Sequence, residues 1–291
     1  MASQAQSPGT AASTSPGAKS VRRMSESLRM RLEAARLQAE EAESSTLLEL
    51  LYFDVAGKAE PIRLAAAYGG VGFKDVRMSR EDFAAKKAAG ELAFGQVPAL
   101  RVGGSSGGGG GQLLVQSNAI IRYIAKLAPD SGLYPADALL AARVDALLDQ
   151  EADLRQGLTC SKYQERFGFA GALGGEGSAA TTAVRTALND DVLPRHLGDL
   201  ERVASASGTG WLAGTAGPTV ADFVVALSVE GLAAGAVDGI SEDILARGGY
   251  AGLLALIGKV KTLPSTVAWY AAKEAGAAAR VQVPTVNAAH V

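Results

Sequence analysis

The chain has 291 residues, nearly half of them apolar, with 28 basic and 30 acidic side chains. That length suits two packed domains; the even charge balance lacks the basic stripe of a nucleic-acid binder, and no apolar run is long enough to span a bilayer. A single cysteine, Cys160, and two histidines, His196 and His290, cannot form an internal disulfide or a Cys/His zinc site, and neither histidine has the strand-turn-helix setting of a nucleophile triad.

Residues 1–20 are rich in Ser, Ala, Gly, Pro and Gln and carry no acidic group. They hold too little apolar surface to offset the entropy of ordering, so they read as disordered. The composition also fits an organelle-targeting peptide within residues 1–25. Residues 21–43 read as a charged helix, with Met24, Leu28, Leu32, Ala35 and Ala39 near one face. Arg22 and Arg23 near its start, and Glu40, Glu41 and Glu43 at its end, oppose the helix dipole and favour fraying. Residues 1–45 therefore form an extension outside the packed core.

The packed chain begins near Thr46. The apolar run Leu47 to Phe53 predicts a buried strand. Glu60 to Tyr68 predicts a helix, with Pro61 at an allowed early position and Gly69-Gly70 as its stop. Phe73 to Arg77 predicts a second strand, and Glu81 to Ala89 a short helix ended by Gly90. Val97 to Val102 and Leu113 to Val115 predict two further strands, joined by a glycine-rich insertion over 103–111 that reads as a hairpin tip. Ser117 to Leu127 predicts a helix with Ser117 as its cap. The order β-α-β-α-β-β-α makes a compact α/β unit over 46–129.

After Pro129 the pattern changes. Gly132 and Pro135 mark a linker, and residues 136–285 are Ala- and Leu-rich with helical spacing, which predicts an all-helical domain. Gly171 to Gly177 reads as a loop. Thr219 and Asp222 form a capping box ahead of Phe223-Val224-Val225. Pro264 starts a late helix through Trp269, and the last residues, 286–291 at least, read as a tail.

Four features converge on chemistry. Tyr52 ends the first strand, where ligands collect in open α/β sheets; alone, it reads as a half-buried strand-end tyrosine anchoring its ring. Val97-Pro98 heads a strand, where proline belongs; a cis bond there would turn the backbone of Val97 outward to pair with an extended peptide. Gln116-Ser117-Asn118 opens a helix, a setting suited to a carboxylate. Asp145, Asp149 and Asp153 share one helix face at spacing i, i+4, i+8, either a solvated acidic face or a surface that meets a ligand cation.

Taken together, Leu51-Tyr52-Phe53-Asp54-Val55-Ala56-Gly57-Lys58-Ala59-Glu60, Phe94-Gly95-Gln96-Val97-Pro98, Gln116-Ser117-Asn118-Ala119-Ile120, and Val144-Asp145-Ala146-Leu147-Leu148-Asp149 with Asp153 resemble the cytosolic glutathione transferase family. The strand-end tyrosine resembles the alpha, mu, pi and sigma group, sigma most of all. The match covers about residues 46–285.

The resemblance implies a thioredoxin-like first domain, a cis Val97-Pro98 bond, an all-helical second domain and a homodimer. It implies a cytoplasmic detoxification enzyme that takes glutathione as co-substrate, needs no metal, and joins the glutathione thiolate to hydrophobic electrophiles. Peroxidase or isomerase side activity is open, and so is a non-catalytic ligand-binding or structural role on the same scaffold. Residue by residue, Tyr52 matches the catalytic tyrosine. Val97, with Pro98, matches the position that pairs with the cysteinyl backbone. Gln116 and Ser117 match the γ-glutamyl carboxylate site, and Asp153 matches the acid that crosses the dimer to the γ-glutamyl ammonium. Gln96 and Lys87 match positions near the glycyl end. Lys58 stands where the group commonly has arginine, and Phe83 where many members have a tryptophan that donates to the glycyl carboxylate. These two departures predict glutathione binding weaker by about 1–2 kcal/mol, with Lys87 as the group that could compensate. The electrophile site is implied to involve the loop after Tyr52, the helix around Gly157 to Tyr163 and the C-terminal tail. Cys160 reads as structural or as part of that pocket's wall.

Overall fold

The structure, a computed structural model, describes residues 48–103, 111–235 and 237–275. The extension over 1–45 with its targeting alternative, the body of the glycine insertion and the tail at 286–291 lie outside the described residues.

Strand β1 (Leu48–Phe53) pairs in parallel with β2 (Lys74–Met78) after a crossover through α1 (Glu60–Gly69). It pairs on its other side, antiparallel, with β3 (Ala99–Val102), which forms a hairpin with β4 (Gln112–Val115). The sheet order is β2-β1-β3-β4. Helix α2 (Arg80–Ala88) follows β2, and α3 (Ser117–Leu127) follows β4. This is a thioredoxin-like arrangement. Its strands are one or two residues displaced from the sequence reading, most clearly β3, which begins after Pro98 because proline has no N–H for the ladder.

Side chains alternate across β1. Leu48 and Leu50 enter the main core, while Leu51 joins Met78, Leu92 and Ala99 on the opposite face. The main core is continuous from the sheet into the helices beyond the linker: Leu50, Leu64 and Ile121 belong to the same buried cluster as Leu148, Phe223 and Trp269. Phe223 has no exposed surface, and burying such a side chain contributes about 2 kcal/mol.

The helical part comprises α4 (Ala138–Lys162), α5 (Ala170–Leu173), α6 (Ala179–Ala187), α7 (Leu193–Ala206), α8 (Val220–Leu232), α9 (Ile244–Gly248), α10 (Ala251–Thr262) and α11 (Pro264–Glu274), with no strand among its described residues. A π-helical turn, Leu188–Val192, joins α6 to α7. The one-turn α5 overlaps the start of the stretch expected as a loop, Gly171 to Gly177; four residues are too few to show a helical period. The Thr219 box is present and buried. Asp222 accepts from the N–H and hydroxyl of Thr219 (2.7 and 2.8 Å) and from the N–H of Leu212 (2.8 Å).

Candidate active site

The strand register assembles the site. Leu51 pairs with Ala99, and Ala99 with Val115. The next residue beyond each, at one end of the sheet, is Tyr52 on β1, Pro98 before β3 and Gln116 after β4. These are the three positions that the motifs singled out.

Tyr52 faces the main core and is half-buried. The chain then turns through 54–56 into a 3-10 turn, Gly57–Ala59. Arg63 on α1 holds this turn from inside: its Nη1 donates to the carbonyls of Val55 (3.0 Å) and Ala56 (3.3 Å) and to Glu60 Oε2 (2.9 Å). A fully buried guanidinium needs compensating anions. Arg63 has two, since its Nε also donates to Asp75 Oδ1 at 3.2 Å. Its guanidinium carbon lies 5.8 Å from the centre of the Tyr52 ring. Trp269 of α11 donates to Glu60 Oε1 at 3.1 Å, which ties the last helix to the same cluster.

The main-chain N–H of Lys58 donates to Tyr52 Oη at 3.2 Å. That bond occupies a lone pair on the phenol and leaves its own proton free to be given elsewhere. Burial pushes the Tyr52 pKa up; the Lys58 N–H counters this, the Tyr163 phenol adds to it, and the charges of Arg63 and Arg155 pull it back. The net direction is upward, so the hydroxyl is a neutral donor.

The ammonium of Lys58 is already engaged. It donates to both oxygens of Glu151 on α4, at 3.0 and 3.2 Å. Glu151 is almost wholly buried and also accepts from Ser228 Oγ of α8 at 2.6 Å. Lys58 thus bonds to Tyr52 through its backbone and to the helical part through its side chain.

Phe83 on α2 packs edge-on against Phe53, with ring centres 5.2 Å apart, on the far face of the sheet. Lys87, one turn later, lies along Gly95: a Cβ there would be 3.2 Å from Lys87 Cε. This brings Lys87 beside Gln96. The Val97-Pro98 bond is cis.

Ser117 is not the cap of α3, as expected, but its first residue. The cap is Gln116, whose carbonyl accepts from Ala119 N (3.0 Å) and Ile120 N (2.9 Å) and whose side chain makes no capping bond. Gln116 has φ 73° and is the sole non-glycine residue in the left-handed region among those described. Such a conformation costs about 1–2 kcal/mol. With no serine oxygen folded back over them, the first N–H groups of α3 are open, as an anion site requires.

The three aspartates of α4 differ. Asp145 is tied up by Arg122 Nε (2.7 Å) and Tyr134 Oη (2.9 Å), whereas Asp149 and Asp153 are exposed. Asp153 is two residues beyond Glu151, so it lies about 200° around the helix from the face that meets Lys58. It stands apart from the other candidates within one chain. Cys160 is partly buried on α4, and Tyr163 caps the C-terminal end of that helix. Among the described residues no cluster of His, Cys, Asp and Glu could hold a metal ion, and no helix is long and apolar enough to cross a membrane.

Sequence reasoning did not single out Gly57, Arg63, Glu151 or Arg155. Glu151 left a readable trace: it occupies the apolar phase of α4 set by Val144, Leu147, Leu148, Leu154 and Leu158. A carboxylate in such a row needs a partner.

Comparison with known proteins gives consistent matches. Residues 48–126 match the model of the glutathione S-transferase N-terminal domain, and residues 169–273 that of the C-terminal domain. The chain is 31% identical over 224 residues to glutathione S-transferase 1 of Ascaris suum, covering 77% of this chain and 95% of that protein. Among solved structures, the glutathione S-transferase of Ascaris lumbricoides matches at TM-score 0.57 and 30% identity, covering 77% of this chain and 96% of that one. Prostaglandin synthase D of Nilaparvata lugens matches at TM-score 0.62 and 25% identity, covering 77% and 97%.

Proposed function

The chain belongs to the glutathione S-transferase family, and from that premise we propose that Tyr52 is the group that activates the thiol of its co-substrate. The protein is an enzyme, a glutathione transferase. The observation that supports the assignment of Tyr52 is the register line that puts this residue at the same end of the sheet as the cis proline and the start of α3.

A free thiol has a pKa of about 8.5, so little thiolate exists at neutral pH. The Tyr52 hydroxyl donates to the sulfur of bound glutathione and favours the charged form. A fall of about two units corresponds to about 2.7 kcal/mol. The thiolate then attacks an electrophilic carbon; isomerisation or peroxide reduction would use the same activated sulfur. A raised Tyr52 pKa supports this role, because a phenol that ionised easily would lose the proton it must share.

The tripeptide runs along the end of the sheet. Val97, turned by the cis bond to Pro98, pairs with its cysteinyl backbone. Gln116 and Ser117 take the γ-glutamyl carboxylate at the N-terminus of α3. Gln96 and Lys87 face the glycyl end, and Phe83 flanks it without a donor. Lys58 contributes its main chain more than its ammonium, which Glu151 holds. Both features support weaker glutathione binding than an arginine and tryptophan pair would give.

We further propose a homodimer in which Asp153 of one protomer reaches the γ-glutamyl ammonium held by the other. Its exposure, and its position on the side of α4 away from Lys58, support a role toward a second copy. Phe94, 61% exposed just ahead of the cis proline, is an apolar group that a second copy would cover. The biological role we assign is detoxification of electrophiles in the cytoplasm, where a lone cysteine stays reduced.

The test is Tyr52→Phe. Retention on immobilised glutathione with loss of most chlorodinitrobenzene conjugation supports the assignment; unchanged turnover refutes it.

A further inference from the structure

Beside the phenol, two cations share one carboxylate. Lys58 donates to both oxygens of Glu151, and Ser228 fills Oε1. Arg155, one helical turn further along α4, is left with its Nε 4.0 Å from that same oxygen, beyond hydrogen-bond reach. Its Nη1 makes only long contacts, 3.4 and 3.5 Å, to the hydroxyl and carbonyl of Ser228. Its buried Nε has no hydrogen-bond partner among the described residues. The cluster therefore carries a net positive charge that its own carboxylate does not balance. Lys58 links this cluster to the phenol, since its main-chain N–H donates to Tyr52 Oη at 3.2 Å while its ammonium holds Glu151. The Arg155 side chain is 27% exposed and Tyr163 is 51% exposed, so both can be reached from solvent.

We propose that Arg155 makes the enzyme select electrophiles that carry a negatively charged group, exemplified by α,β-unsaturated ketones bearing a carboxylate, and holds that group beside the activated sulfur. The proposal rests on the assignment of Tyr52. In the reaction, the sulfur lone pair forms the C–S bond at the β-carbon. The alkene pair moves onto the carbonyl oxygen as an enolate, and the α-carbon takes a proton from water to replace the one the thiol released. An anionic substituent meets an under-compensated guanidinium here, whereas Glu151 is screened from it by Lys58 and Ser228. Arg is suited to this because its planar fork binds a carboxylate through two parallel bonds.

Ethacrynic acid and its methyl ester share one reactive carbon and differ by one charge. The measurement is kcat/KM for each, divided by its uncatalysed rate with glutathione, in the wild type, Arg155→Met and Arg155→Lys. The expected result is an acid-to-ester ratio about tenfold lower in Arg155→Met, as for loss of one charge-assisted contact, with part of it restored in Arg155→Lys, which keeps the charge but not the fork. An equal ratio in wild type and Arg155→Met, or no recovery in Arg155→Lys, overturns the proposal. If the Met variant fails to fold, wild type alone decides: added salt should lower the acid's kcat/KM relative to the ester's, and a salt-independent ratio overturns it. Tyr52→Phe should depress both rates and keep their ratio. If it depresses neither, the thiol-activation reading fails on its own account.

Discussion

Gly57 and Tyr52 are packed so closely that a Cβ on Gly57 would lie 2.5 Å from the phenol oxygen, with the glycine at φ +44°. Contact at that distance cannot be tolerated, so any side chain at 57 moves the hydroxyl or the turn that carries it. Gly57→Ala should fold with a loss of about 1–2 kcal/mol for the left-handed backbone. Its kcat should fall by roughly a hundredfold, because misplacing a reacting group by about 1 Å has that effect. Denaturant unfolding and conjugation kinetics on the same sample separate the two.

The pH profile has a defined shape. Burial, the dominant cause, lifts the Tyr52 pKa above its ordinary value of 10.0, so the hydroxyl keeps its proton through neutral and mildly alkaline pH. With glutathione saturating, kcat/KM for the electrophile should rise with a single ionisation, that of the bound thiol, and stay level to about pH 10. A downturn between pH 7 and 9 would mean that Tyr52 loses its proton there, against the upward shift.

The Thr219 box is a stability device remote from the sheet end. Asp222 has no exposed surface and accepts three hydrogen bonds. Asp222→Ala strands those donors in the core, and the expected loss is about 2–3 kcal/mol, more than for an exposed cap. A shift of the denaturant midpoint at unchanged slope would show it.

Much of this arrangement could be read from the chain because it is local. Tyr52, the proline at 98 and the helix start at 116 each announce themselves within a few residues, and β-strand order follows from the β-α-β and hairpin spacings. What escaped is what depends on distant partners. Lys58 and Glu151 are 93 residues apart, and nothing near either names the other. Ser117 looked like a cap by residue type; the cap is instead the carbonyl of Gln116, set by a left-handed φ that glutamine rarely adopts. Asp145 looked like one of three equivalent acids, yet Arg122 and Tyr134 hold it from other elements.

Asp153→Asn separates a dimer-completed site from a self-contained one. KM for glutathione should rise about tenfold, the scale of one charge-assisted bond to the ammonium, with the dimer retained by light scattering. An unchanged KM would remove Asp153 from the site.

Glu151→Gln leaves Lys58 and Arg155 without their shared anion. A fully buried pair broken this way loses about 3–5 kcal/mol. The Lys58 side chain is 42% exposed and can turn to water, so the expected loss is about 1–2 kcal/mol, read from thermal unfolding of the variant beside wild type.

The most direct measurement is the titration of the bound thiol itself, followed by the ultraviolet absorbance of the thiolate in the glutathione complex. In the wild type the thiol should ionise about two units below the free value of about 8.5, and in Tyr52→Phe, with glutathione still bound, it should return to near that value. A bound thiol that titrates at the same pH in both proteins would contradict the account.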